Sequence, residues 1–151
     1  MNKIDIRKSE TPISKEELNT FIEKYNLDLP GSYIEFILLN NGGYTSKSLF
    51  ESNEDKSFII DCFYSVRSDL GDFQSNLGRL VNIKKILENN LVDRDLPSDL
   101  FPFGDGGAGT FFCISMNQDS LGKIYKYYWD GSGLEYVCDS FKIFLDGLKT
   151  E

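Results

Sequence analysis

Apolar residues recur along this chain at two periods, and the change from one period to the other divides it into helices and strands. Leu18, Phe21, Ile22 and Tyr25 share one face of a helix that Ser14 and Glu17 open with capping-box spacing. Tyr33, Phe36, Ile37 and Asn40 repeat that spacing over residues 30–40, where Pro30 suits a first turn and Gly42 and Gly43 suit a stop. Leu80, Ile83 and Leu87 predict a third helix over 77–90, and Phe141, Phe144, Leu145 and Leu148 a closing one. Asp139 is the candidate N-cap of that last helix. Between these lie strand-like runs at 44–50, 58–64, 110–116, 123–129 and 134–137, and the polar link 117–122 reads as a hairpin turn.

Grouped helices around hairpin-linked strands imply an α+β fold: a single domain over residues 1–151, with an antiparallel or mixed central sheet flanked by about four helices. A doubly wound parallel sheet would need a helix between the strands of the 113–137 region, and none is encoded there. Tyr33, Phe36, Phe112, Ile114, Phe141 and Leu145 are the expected core. On the strand 123–129, alternation sets Tyr125, Tyr127 and Trp129 on one face and Ile124, Lys126 and Tyr128 on the other. The first set is assigned to the core in preference to an interface.

Composition narrows the classes. A chain of 151 residues with 40% hydrophobic and 26% charged positions is of ordinary globular make-up, and it can bury roughly two-thirds of its unfolded surface. No apolar run approaches the ~20 residues of a membrane span, and residues 1–8 carry acid and base where a secretion signal would be apolar. Cys62, Cys113 and Cys138 cannot all pair and show no Cys-x-x-Cys spacing, which fits a reducing cytoplasm. The net charge of −8 argues against nucleic acid, whose phosphates are bound through Lys and Arg. It suits a basic protein partner, and it serves solubility equally well.

Candidate chemistry is sparse. The chain has no histidine, so Ser/His/Asp and Cys/His systems are excluded. Its scattered cysteines do not suggest zinc, and no cofactor is expected. The glycine-rich segment 104–110 follows Phe101-Pro102-Phe103 and opens a strand, without a helix N-terminus or a Gly-Lys-Ser/Thr ending. Asp105 within it would repel an anion. A turn or bulge with positive φ is the expectation. Asp93, Asp95, Asp99 and Asp105 form one acidic series and Asp130, Glu135 and Asp139 another, both in polar, turn-like sequence where the burial that general acid catalysis needs is not provided. Binding suits them better than turnover.

The string Leu29-Pro30-Gly31-Ser32-Tyr33-Ile34-Glu35-Phe36, followed by Asn40-Asn41-Gly42-Gly43, resembles the signature of the SUKH superfamily. The resemblance continues in order through residues 101–109, the strand 110–114, Gly122-Lys123-Ile124-Tyr125 with Trp129-Asp130, and Asp139-Ser140-Phe141 with Phe144-Leu145. Residues 51–90 match nothing in it. The superfamily joins fungal regulators of glucan synthesis and cell-wall assembly to bacterial immunity proteins that neutralise polymorphic toxins. It therefore implies a non-catalytic immunity protein acting on a cognate toxin domain. The alternatives are a regulatory scaffold of cell-wall assembly or signalling, which usually carries appended interaction segments, and an unrecognised hydrolase. Asp93, Asp95, Asp99, Asp105, Trp129 and Asp130 are the candidate partner-binding residues, the first four as an acidic rim that steers a basic toxin.

Overall fold

The computed structural model describes residues 5–7, 9–66, 96–128 and 132–151. Among them three helices are formed: α1 (Lys15–Lys24), α2 (Gly31–Leu39) and α3 (Phe141–Gly147). The helix expected over 77–90 lies outside the described residues. Every pairing between described strands is antiparallel, so the mixed-sheet alternative is not the one adopted there. The fold is α+β.

Helix α1 starts as its sequence dictates. The Glu17 amide donates to the Ser14 hydroxyl and the Ser14 amide to the Glu17 carboxylate, each at 3.1 Å. Pro30 serves α2 as N-cap rather than first-turn residue, and Gly31 opens the helix. The other end also differs from expectation. Asn40 caps α2 in an extended conformation, so the helix stops before either glycine. Glycine is needed instead where the chain passes the N-terminal strand. Gly43 has φ +134° and lies against Ile6 and the Arg7 carbonyl, the latter 2.8 Å from where a Cβ would stand. It exchanges two backbone hydrogen bonds with Phe63, of 3.0 and 2.8 Å.

The main sheet orders β5 (Cys62–Phe63), β6 (Leu100–Gly107), β7 (Thr110–Ser115), β8 (Ile124–Tyr128) and β9 (Gly133–Cys138) as consecutive neighbours. Two small pairs accompany it: β1 (Ile6–Arg7) with β2 (Tyr44–Thr45), and β3 (Leu49–Glu51) with β4 (Ser57–Ile59). The run 58–64, expected as one strand, is divided between two sheets. The Ile60 amide still donates back to Ser48, at 3.0 Å, whereas the Asp61 amide donates to Asp105, at 2.8 Å. Lys149 closes the outer side of β3 by a reciprocal pair of bonds with Leu49 and an ion pair with Glu51.

Aromatic rings fill the space between the sheet and the helices. Tyr33 meets Phe101 and Phe141 edge-on at 5.3 and 5.2 Å, Phe36 meets Phe63 at 4.7 Å, and Phe103 meets Phe141 and Phe144. All six expected core residues are buried. Such ring pairs contribute on the order of 1 kcal/mol each beyond the area they bury. The Tyr33 hydroxyl has no hydrogen-bond partner among the described residues, although it is fully enclosed.

Candidate protein-binding surface

Registers across β7, β8 and β9 assign every side chain of that region to a face. Phe112 and Ile114 point to the helices, and their partners Lys126 and Ile124 point the same way. Phe111 and Cys113 face the other side, with Tyr127 and Tyr125 opposite them. Leu134 and Tyr136 continue that second face on β9. The expected assignment of the tyrosine set to the core holds only in part: Ile124, from the other set, is fully buried, whereas Tyr125 and Tyr127 are half-buried, Tyr127 packing against the core. Lys126 stands on the helix side with its ammonium 5.8 Å from the ring centre of Phe112 and 5.6 Å from that of Tyr128, where both rings attract the charge. Trp129, the third member of the predicted aromatic set, lies outside the described residues.

The second face therefore presents Tyr125, Leu134 and Tyr136 together. Tyr125 and Tyr136 pack edge to face at 5.9 Å, and the Lys123 ammonium lies 5.9 Å from the Tyr136 ring. The Tyr136 hydroxyl donates to Asp139, and that carboxylate with burial pushes the phenol up to about 12. Asp139 is thus engaged with β9, and Ser140 takes the capping role expected of it by accepting from the Ile143 amide at 3.1 Å. On the helix side of β9, Glu135 accepts from Tyr128 at 2.6 Å and from Lys56 at 2.9 Å. These bonds hold its carboxyl below the usual range.

Of the predicted acidic series, Asp99 and Asp105 are described. Asp99 stands before β6 and accepts from the Asn117 side chain at 3.0 Å. Asp105 lies near the far end of β6, where it accepts from the Gly107 amide at 2.7 Å. Five strand residues separate them, roughly 20 Å of extended chain, so the two carboxylates do not share a cluster. Asp105 instead neighbours Asp61, whose carboxyl is raised by burial and by the Asp105 charge. Asp93, Asp95 and Asp130 lie outside the described residues. The segment read as a glycine-rich loop is largely strand. β6 continues through Gly107 with two register shifts, and only Ala108 and Gly109 form the turn, with Gly107 and Gly109 at φ +81° and +77°.

Buried Asn41 is a polar hub that sequence reasoning passed over. Its side-chain amide donates to the carbonyls of Thr11 and Val66, at 2.7 and 2.8 Å, and its carbonyl accepts from the Val66 amide at 2.8 Å. It is committed to structure, not to a ligand. The three cysteines are free and buried, with Cys62 and Cys138 pushed up to about 12 chiefly by desolvation. Among the described residues no cluster of three or more Cys, Asp or Glu side chains is placed to hold a metal ion. No described helix is long and apolar enough to cross a membrane.

The sequence profile of the SMI1 / KNR4 family (SUKH-1) matches residues 12–147, from before α1 to the end of α3. The chain belongs to this family. No curated protein matches the sequence. Within this SUKH-1 chain the L-P-x-x-Y-x-x-F string supplies the rings at the centre of the core, and its Asn-Asn-Gly-Gly supplies the hub and the close approach to Arg7. The motif is thereby explained by folding. Among the described residues, the tyrosine face of β8 and β9 is one surface of the SUKH-1 domain where aromatic and apolar side chains are gathered and partly exposed.

Proposed function

We propose that this SUKH-1 chain is a cytoplasmic bacterial immunity protein that binds a cognate, basic toxin domain and neutralises it by occupying it. No cofactor and no turnover are involved. The family membership carries the reading, and two physical properties support it: a net charge of −8 that attracts a cationic partner, and the partly exposed tyrosines of β8 and β9 that can hold one. Asp99 and Asp105 stand at opposite ends of β6, so steering comes from the general field, to which Asp93, Asp95 and Asp130 add, with Trp129 as a candidate anchor.

The test is co-expression with the product of the neighbouring open reading frame, followed by pull-down and growth measurement. A stoichiometric complex and rescue of growth are expected. Failure of both rejects the reading, and capture of cell-wall assembly enzymes instead would favour a regulatory scaffold. Asp93→Lys with Asp95→Lys should slow association at low salt and change dissociation less, with the difference shrinking as the Debye length falls from ~10 Å at 0.1 M to ~3 Å at 1 M. Incubation with nucleotides, peptides, esters and glycans should give no activity that Asp105→Asn removes.

A further inference from the structure

The two ends of the main sheet are finished differently. At the β5 end, Gly43 bonds to Phe63 in both directions and closes the edge, as Lys149 closes that of β3. At the β9 end no further strand is paired among the described residues. Natural edge strands are usually protected by lysine, proline or an inward charge. The β9 sequence Gly-Leu-Glu-Tyr-Val-Cys has neither lysine nor proline. Its one charge, Glu135, faces the helix side, but it is already paired with Lys56 and Tyr128, so an added strand would not bury it uncompensated. Val137 and Cys138 are buried, which leaves residues 133–136 as the open stretch. There Leu134 is 48% and Tyr136 37% exposed, beside Tyr125.

We infer that the outer edge of β9 receives an extended basic segment of a partner protein as a sixth strand, whose apolar side chains lie on Tyr125, Leu134 and Tyr136. Backbone bonds supply affinity in such strand addition, and alternate side chains supply specificity. Charge selects the occupant. At the edge itself Glu54, Glu135 and Asp139 stand with Lys56 and Lys123, so the selection comes from the field of the whole chain. A second copy would bring another net −8 to the same edge, whereas a lysine-bearing strand is attracted to it. This assignment rests on the reading that the chain binds a basic protein.

The probe is the blocked octapeptide of alternating lysine and valine, titrated into the whole 15N-labelled protein at low salt, with the glutamate–valine octapeptide as its control. Expected are shifts and slowed amide exchange centred on residues 133–136, none with the acidic peptide, and at least tenfold weaker binding by Leu134→Lys and Tyr136→Lys. Both positions are solvent-exposed, so folding should persist, and the exchange measurement on the unmutated protein decides the matter if it does not. No binding, or shifts centred elsewhere, overturns the assignment. So does self-association that Leu134→Lys abolishes, because the occupant is then a second copy. The neighbouring gene product separates this inference from the functional reading. If Leu134→Lys captures it undiminished, the edge is not the site but the function stands. If nothing captures it while the basic peptide binds at β9, the edge stands and the immunity reading falls.

Discussion

Replacing Asn41 by alanine should cost about 3 kcal/mol, and the geometry gives the reason. The side chain is 3% exposed and makes three hydrogen bonds, two to carbonyls of Thr11 and Val66 and one from the Val66 amide. At about 1 kcal/mol net per bond the loss is roughly 3 kcal/mol, with more if the Val66 amide stays buried without an acceptor. Urea unfolding followed by circular dichroism reads this directly. With a slope of about 2 kcal/mol per molar, the midpoint should fall by roughly 1.5 M. Asn41→Asp sharpens the test, because it keeps an acceptor for Val66 while turning an oxygen towards two carbonyl oxygens. It should be at least as damaging at neutral pH. Asn40→Ala is the control: its side chain makes no hydrogen bond among the described residues, so a change within ~0.5 kcal/mol is expected. A midpoint shift below ~0.5 M for Asn41→Ala would show that water replaces the amide and that the hub is not a stabilising element.

Tyr33→Phe removes a buried hydroxyl without a partner among the described residues and should raise stability, by up to ~1–3 kcal/mol, in the same unfolding assay; a loss above ~1 kcal/mol would contradict this. The buried thiols, with Cys62 and Cys138 near 12, should resist Ellman's reagent at pH 8 and react only on denaturation, and one fast-reacting native thiol would refute it. Asp61 is raised in the fold, so its ionised form opposes folding above the folded pKa and the penalty disappears below the unfolded value of about 3.9. Asp61→Asn should therefore stabilise at pH 7 but not at pH 3. Glu135 is lowered, so its contribution is present above about pH 4.3 and is lost as pH falls through the folded pKa. Glu135→Gln should destabilise at pH 7 and not at pH 2, and equal effects at both pH values would refute either assignment.

Helices were legible because their signals are local. The Ser14 and Glu17 box, the Tyr33 and Phe36 stripe and the Phe141 and Phe144 stripe each lie within a few residues. Features set by distant partners were hidden. The division of 58–64 depends on Asp105, and the role of Asn41 depends on Thr11 and Val66, 30 and 25 residues away. Alternation sorted β8 into its two faces but not which one meets the helices: tyrosine suits either side of a sheet, and Lys126 took the helix side with its ammonium near the ring of Phe112. Proline and glycines disguised β6 as a loop, which made Asp99 and Asp105 look adjacent when a strand separates them. At the start of α3 two good capping residues stand side by side, and Tyr136 decides between them by holding Asp139.

The bridge between Leu49 and Lys149 has a kinetic consequence. Strands β6 to β9 follow one another in sequence and can zip together from their own turns. Closing Leu49 onto Lys149 must gather about a hundred residues of chain, and contacts at such separation slow folding because their entropy is spent before they reward it. The meander should therefore form early and β3 should be secured last. During that interval the β3 edge is open, and the early species exposes a strand margin that Lys149 covers in the finished protein. Crowded refolding would consequently be the condition under which this chain aggregates, and dilution the one under which it recovers.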